Sequence, residues 1–410
     1  MRKKAKPLLI SILTLLVTIV AITIQPQLTM SETQASTSTK EIVKANNSFG
    51  FDLFSQLWQQ NKEKNIFISP PSLSFALSML YNGATGETAR EMAEVLHTQE
   101  LSLAKVNSQN QILKEILTNA DPKVQLAIAN SLWLKEGFSF EQDFLANNQK
   151  FYNAEISELD FSSKEAVATI NNWVDENTSG KITEIIDDID PQEILFLINA
   201  VYFKGNWQYQ FKPENTATRP FFLTDKTETT AELMSQMGEF PYWENDDFQA
   251  ISLPYGETNN LNMYIFLPRQ ESNLTEFLSL LTLENWQQWL SQLQQKEVTI
   301  ILPKFKNEYQ QEMKDILLAL GMKRAFSSQE ADFTALTSAQ VNVSNVKHKT
   351  FVEVNEEGTE AAAVTSIGVR TTSIRITPTM EVNRPFFYVI GERQTDTILF
   401  MGAMLNPTEK

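Results

Sequence analysis

Between residues 359 and 371 every second side chain is small or β-branched and none is charged: Thr359, Ala361, Ala363, Thr365, Ile367, Val369 and Thr371. The charges of the stretch, Glu360 and Arg370, fall on the other parity. Successive side chains of a strand point to opposite faces, so such a segment can bury one face and leave the other wet. At 20% charged residues, seven uncharged positions on one face would arise by chance about one time in five, so the pattern needs support from its surroundings. The segment follows a strand-like run, Phe351-Val352-Glu353-Val354, and ends before Arg384-Pro385-Phe386 and an apolar pair of C-terminal strands. Unstructured connections longer than about 12–15 residues are usually functional or disordered, and this one is neither Gly/Ser-rich nor Pro-rich. Gly358 at its start can adopt backbone conformations closed to other residues, which makes it a hinge candidate. The stretch reads as a strand awaiting a sheet.

The rest of the chain can supply one. With 410 residues, 42% hydrophobic, including 26 Phe and 7 Trp, there is material for a substantial core. The first residues stand apart. Arg2, Lys3, Lys4 and Lys6 precede an apolar run from Leu8 to Ile24, then Gln25-Pro26, the pattern of an export signal over residues 1–30. A clean small-x-small cleavage site does not follow, so a cleaved signal and a retained N-terminal anchor are both consistent with the pattern. Either way the protein is expected to be exported, as a secreted or periplasmic chain or one held at a membrane by this segment. Residues 31–45, polar and Ser/Thr-rich, read as a flexible leader, and residues 46–410 as one continuous domain without repeat or linker.

Cysteine is absent, which excludes disulfides, a thiol nucleophile and a lipoprotein anchor. Without residues 1–30 the chain has 30 Lys and Arg against 50 Asp and Glu, a net charge of −20. So acidic a surface argues against nucleic acid, heparin-like polyanions and anionic membranes as main partners. The short basic clusters Lys347-His348-Lys349 and Lys323-Arg324 read as solvated surface.

Helical spacing marks Leu73, Ala76, Leu77 and Leu80 behind capping candidates in Ser69-Pro70-Pro71-Ser72, then Ala89, Met92, Ala93 and Leu96, and later Ala166, Ile170, Trp173 and Val174. The first of these is apolar nearly all round and is expected to be buried. Leu126–Leu134 and Leu195–Phe203 read as central strands covered on both faces, with further strands at Asn262–Leu267, Val298–Leu302, Phe386–Ile390 and Ile398–Leu405. Helices early, strands late and no βαβ alternation predict α+β with large mixed or antiparallel sheets.

The inventory for catalysis is poor. His97 closes an amphipathic helix, where it suits the dipole, and His348 lies in the strand-like run before the hinge. No G-x-S-x-G, H-E-x-x-H, P-loop or G-x-G-x-x-G motif occurs. The carboxylates of Glu184–Asp190 read as a solvated turn. No enzyme, cofactor or metal is expected.

The motifs around the hinge, taken in order, resemble the serpin family over about Asn46 to Pro407. They are Asn65-Ile66-Phe67-Ile68-Ser69-Pro70-Pro71-Ser72-Leu73, Ile170-Asn171-Asn172-Trp173-Val174 and Thr178-Ser179-Gly180-Lys181-Ile182. Asn199-Ala200-Val201-Tyr202-Phe203-Lys204-Gly205-Asn206-Trp207 follows. The series ends with Leu302-Pro303-Lys304-Phe305, Leu320-Gly321-Met322, Ala331-Asp332-Phe333 and Pro385-Phe386-Phe387. The resemblance implies three β-sheets, about nine helices and an exposed reactive loop near residues 357–383. It also implies suicide inhibition of a serine or cysteine protease, in which the cut loop inserts into the main sheet and traps the acyl-enzyme. By position, Ser69, Ser72, Asn199 and His348 match a polar cluster behind the opening sheet. Trp207 matches the aromatic where the loop first enters, and Lys304 with Glu356 a salt bridge at the loop's base. Glu356, Glu357, Gly358, Thr359, Ala361, Ala362 and Ala363 match the hinge. The family's spacing places the cut at Thr372-Ser373, while Arg370 and Arg375 are alternatives. A cut after Thr372, with Val369 upstream, suits an elastase-like or subtilisin-like enzyme, and a cut after either arginine a trypsin-like one. The expected protein is a monomeric inhibitor, and the alternative is a non-inhibitory member acting as chaperone or carrier.

Overall fold

The computed structural model describes residues 32–359 and 377–409. The expected export signal lies outside the described residues. The flexible leader expected over residues 31–45 is corrected: α1 (Glu32–Gln60) begins there. Thr39, Ile42, Val43 and Asn46 recur at helical spacing and all are buried. Ser/Thr content disguised this helix, because two of the four inward positions are polar. The helix is tied down by hydrogen bonds, from Ser36 Oγ to the Gln394 carbonyl (2.7 Å) and from Asn47 Nδ2 to the Asp396 carbonyl (2.8 Å).

After β1 (Ile66–Ile68), α2 (Pro70–Tyr81) is buried over eleven residues, Pro70 to Leu80, as its all-round apolar sequence predicts. Pro70 and Pro71 occupy its first turn, where a missing N–H costs nothing. Leu73, Leu77 and Leu80, each burying an apolar side chain worth about 1.5–3 kcal/mol, root it in the main core. Ser69 does not cap it through its side chain; the hydroxyl donates instead to the Leu399 carbonyl at 2.8 Å. The next elements are α3 (Gly86–Val95), α4 (Leu103–Thr118), β2 (Val124–Lys135), α5 (Gln142–Tyr152), β3 (Glu155–Leu159), α6 (Lys164–Asn177) and β4 (Leu195–Asn206). The second half is mostly strand. It runs through β5 (Ala217–Phe222), β6 (Glu228–Glu244), β7 (Phe248–Pro254) and β8 (Leu261–Pro268), then the short helices α7 (Leu274–Ser279) and α8 (Leu283–Gln292). β9 (Gln294–Pro303), β10 (Phe305–Glu312), α9 (Lys314–Leu320), β11 (Asn345–Val354), β12 (Gly358–Thr359), β13 (Thr379–Glu381), β14 (Phe386–Glu392) and β15 (Thr397–Met404) complete it. Nine α-helices among the described residues match the expected number.

One hydrogen-bonded network has the order β10-β11-β4-β2-β3, with β12 on β4. The other runs β1-β15-β14-β8-β7-β6-β9-β13, with β5 on β6. β6 pairs with β9 from Leu233 to Tyr242 but with β7 only from Tyr242 to Glu244. The larger network is thus two sheets sharing one long strand, which with the first makes the expected three.

β4 separates two hydrophobic layers. Its odd-numbered Leu195, Leu197, Val201 and Phe203 belong to the main core with α2. Its even-numbered Phe196, Ile198, Ala200 and Tyr202 pack with Ile170 and Val174 of α6 and with Ile182, Ile185 and Ile186 beyond it. Both faces are covered, so the strand reads as a continuous apolar run.

Candidate functional site

The central pair of the first sheet is parallel: β11 runs beside β4 from Asn345–Phe196 to Phe351–Tyr202. Beyond that rung the two strands are no longer partners. The chain leaves β11 through a turn, with the Asn355 N–H on the Gly358 carbonyl at 2.8 Å, and comes back as β12. β12 pairs antiparallel with β4, Gly358 opposite Asn206 and Thr359 opposite Gly205. β2 already occupies the far edge of β4 up to Gly205, so β12 lies on the edge facing β11. The loop's first two residues therefore stand in a fork between β4 and β11.

Gly358 is required there. Its φ is +140°, and a Cβ would sit 2.3 Å from the Gly205 carbonyl oxygen and 2.6 Å from the Trp207 nitrogen. No other residue combines that backbone with that space. Around the fork, the Trp207 N–H donates to the Glu357 carbonyl and its indole Nε1–H to the Asn355 carbonyl, both at 2.9 Å. The indole is buried and stacks on Tyr255 at 4.4 Å. Glu356 is held from two sides, by Lys304 Nζ at 3.1 Å and by the Thr216 hydroxyl, which donates at 2.7 Å. Burial alone would raise the Glu356 pKa, but the Thr216 hydroxyl and Lys304 outweigh it and hold the carboxyl below its ordinary value. Lys304 also reaches Glu232 at 3.5 Å.

Lower down the same seam lies a wholly buried polar chain. The Ser69 N–H donates to His348 Nε2 at 3.2 Å, and His348 Nδ1 meets Asn199 Oδ1 at 2.5 Å. Since Nε2 accepts from an amide, the proton is on Nδ1 and the ring is neutral. Asn199 Nδ2 donates to Ser72 Oγ at 2.6 Å and to Asn130 Oδ1. These bonds join α2, β2, β4 and β11, with the β4–β11 contact running through His348.

Burial lowers the His348 pKa from 6.5 to about 3. An unfolded chain takes up a proton at this residue below pH 6.5 that the folded chain refuses until about pH 3. Stability contributed by His348 is therefore lost as pH falls through that window, at up to about 1.4 kcal/mol per pH unit. In urea unfolding between pH 7.5 and pH 4.5, His348→Gln is expected to flatten the dependence seen in the parent chain. Equal slopes in the two would show that His348 does not carry it.

The matched residues thus fall into two groups along one seam. Glu356, Glu357, Gly358, Thr359, Trp207 and Lys304 meet at its upper end, and Ser69, Ser72, Asn199 and His348 line its middle. Ala361, Ala362, Ala363, Arg370, Thr372, Ser373 and Arg375 lie outside the described residues. The chain is described again from Thr377, where the Pro378 carbonyl accepts from the Thr299 N–H at 3.0 Å and β13 pairs with β9. Sequence reading missed Asn130, Thr216, Tyr255 and Asn355. Asn130 was detectable, as a lone amide inside the apolar Leu126–Leu134 run; the others carry no local signal.

The basic cluster at 347–349 is not solvated surface. His348 is fully buried, and Lys349, 7% exposed, pairs with Glu308 at 2.8 Å and donates to the Glu184 carbonyl at 2.6 Å. His97 ends α3 with φ +54°, its Nε2 2.7 Å from Asp52. The carboxylates of 184–190 are exposed, as expected for a turn. Among the described residues no cluster of His, Asp and Glu could hold a metal ion.

The sequence pattern of the family described as Serpin (serine protease inhibitor) matches residues 44–407. An uncharacterized serpin-like protein of Thermococcus kodakarensis is 37% identical over 376 residues, 90% of this chain and 87% of that one. Among solved structures, the thermophilic serpin tengpin in its native state superposes with a TM-score of 0.82 at 32% identity, covering 89% of this chain and 94% of that one. Human thyroxine-binding globulin does so with a TM-score of 0.84 at 29% identity, covering 91% and 100%. The chain belongs to the serpin family.

Proposed function

We propose that this serpin is a suicide-substrate inhibitor of serine, and by the same chemistry cysteine, proteases. The observation that carries this reading is the fork: Gly358 and Thr359 already pair antiparallel with β4 beside a parallel neighbour. Extending that register sets Ala361 opposite Phe203, Ala363 opposite Val201, Thr365 opposite Asn199, Ile367 opposite Leu197 and Val369 opposite Leu195. The small, uncharged parity of the loop then meets the main-core face of β4. A strand entering this way replaces one parallel pairing by two antiparallel ones, which are slightly more stable per residue. For about a dozen residues, at ~0.5–1.5 kcal/mol net per backbone hydrogen bond, the gain is on the order of ten kcal/mol. The uncut form is then a kinetic trap rather than the most stable state.

In the reaction the protease's nucleophile attacks the carbonyl of Thr372. The Thr372–Ser373 peptide bond breaks, Ser373 leaves with a free amine, and Thr372 stays esterified to the enzyme. Insertion of the upstream segment before water arrives carries the acyl-enzyme away from its working geometry. The protein performs no turnover of its own in this scheme. An elastase-like or subtilisin-like target follows from Thr372, and a trypsin-like one from Arg370 or Arg375. The N-terminal basic and apolar segment supports export to where such proteases act, with the inhibitor working as a monomer.

The test is incubation of the purified chain with an elastase-like, a subtilisin-like and a trypsin-like protease separately. A covalent complex on denaturing gels, with a released peptide beginning at Ser373, is the expected result. A peptide beginning after either arginine changes the target and keeps the mechanism. Clean cleavage by all three without complex overturns the inhibitory reading. It would favour a carrier, for which the likeness to thyroxine-binding globulin, solved in complex with thyroxine, gives a precedent.

A further inference from the structure

One buried carboxylate stands behind the fork with no part in the scheme so far. Asp121, 4% exposed, lies between the end of α4 and the start of β2. Its Oδ1 accepts the Lys123 N–H at 2.8 Å. Its Oδ2 accepts three donors from the turn joining β7 to β8: the Glu257 N–H at 2.8 Å, the Thr258 N–H at 2.7 Å and the Thr258 hydroxyl at 2.7 Å. The preceding carbonyl, of Ala120, accepts Asn260 Nδ2 at 3.1 Å. Among the described residues no cation pairs with this carboxylate, so N–H and O–H donors alone hold its charge. Burial would raise its pKa, yet those hydrogen bonds outweigh burial and keep it lowered.

The turn it grips is the one that supports the fork. Gly256 has φ +68°, and a Cβ there would come within 2.2 Å of the Asp121 carboxyl carbon, so turn and carboxylate are in closest contact. The Gly256 N–H donates to the Asn206 carbonyl at 2.8 Å, and the Gln208 N–H to the Pro254 carbonyl at 2.9 Å. Tyr255 bridges and stacks on Trp207. Trp207 and Asn206 in turn hold Glu357, Asn355 and Gly358. A continuous run of hydrogen bonds and one ring stack thus links Asp121 to the first rung of the loop. It also fixes the start of β2, where Val124 pairs with Gly205.

We propose that Asp121 is a positioning residue for loop insertion: it clamps the upper end of β2–β4 and Trp207 to the β7–β8 turn, so that the first rung is held ready for the rest of the loop. This rests on the proposed insertion mechanism. Charge matters to the clamp because a carboxylate has acceptor sites for all four donors, whereas an amide would turn its own N–H groups toward N–H groups already there. Asp121→Asn is therefore diagnostic, keeping shape and losing acceptors. Thr258→Val is the milder partner that removes one donor and leaves Asp121 in place.

The experiment has two readouts on full-length protein. Peptide-level hydrogen exchange over residues 203–211 and 352–359 is expected to be about tenfold faster in Asp121→Asn, the effect of losing roughly one charge-assisted hydrogen bond on local opening. Thr258→Val should shift it in the same direction by less. The number of inhibitor molecules consumed per protease trapped is expected to rise several-fold in parallel. Faster exchange confined to residues 255–261 would mark Asp121 as support for that turn only and overturn the proposal. Faster exchange at the fork with unchanged stoichiometry would overturn it too. Were the parent chain to trap no protease, the inhibitory reading would fail by itself, and the exchange at 352–359 would still decide whether Asp121 holds the fork.

Discussion

A cut in the loop after Val369 or further downstream is expected to raise the melting temperature by about 10–15 °C. The reasoning begins with the register at the fork. Thr359 stands opposite Gly205, and β4 begins at Leu195, which the same register, if continued, would set opposite residue 369. A free segment reaching that far can pair with the whole length of β4, for a gain on the order of ten kcal/mol. In a chain of this size each kcal/mol moves the midpoint by about 1–1.5 °C. The gain should also depend on where the cut falls. Cleavage after Thr365 frees only the upper half of the strand and should yield about half the rise. Scanning calorimetry of chains nicked by different proteases, with the cut located by mass spectrometry, checks both statements. A melting point that does not move after a cut beyond Val369 would mean that the sheet does not accept the loop, whatever the loop's composition.

That the loop's period was readable while its destination was not has a physical basis. Alternation is a local property, and thirteen residues suffice to display it. Which sheet, which seam and which register depend on pairings between distant segments: Ser69 and His348 meet across 279 residues, Trp207 and Asn355 across 148. Ser69, His348 and Trp207 were located only because the chain resembles the serpin family, and Asn355 was not located at all. α2 was legible because Pro70, Pro71 and a surface apolar nearly all round allow little else. The opening of α1 was not, because Thr39 and Asn46 are buried as polar groups and leave no hydrophobic stripe to read. β6 was missed for a different reason. Its 17 residues serve three partners in succession and include Gly238 and Pro241, so no single face stays buried along its length. Lys349 was misjudged because a charge was assumed to be solvated; its Nζ is satisfied by Glu308 and a carbonyl, which is what permits its burial.

Thr359→Arg is expected to turn an inhibitor into a substrate. The fork places residue 359 on the rung of Gly205, whose own Cβ position lies about 3.1 Å from the rings of Phe203 and Tyr255. Directly opposed residues of an antiparallel pair share a face, so the arginine would be driven against two aromatic rings. Removing its charge from water without a partner costs several kcal/mol. The loop would still be cut, and acylation would proceed as before. Insertion, however, has to pass this rung first, and it competes with hydrolysis of the acyl-enzyme. A slowing of even 2–3 kcal/mol at the first step shifts that competition about 30-fold to 160-fold toward release. Denaturing gels should then show cleaved chain accumulating while covalent complex falls by more than tenfold. Glu360→Gln is the control, since residue 360 has the other parity in the sequence and the β12 register, if continued, would set it opposite the half-buried Lys204, so its neutralisation should leave most of the complex intact. If Thr359→Arg traps protease as well as the parent chain does, the strand cannot be inserting through the rung at which it now begins.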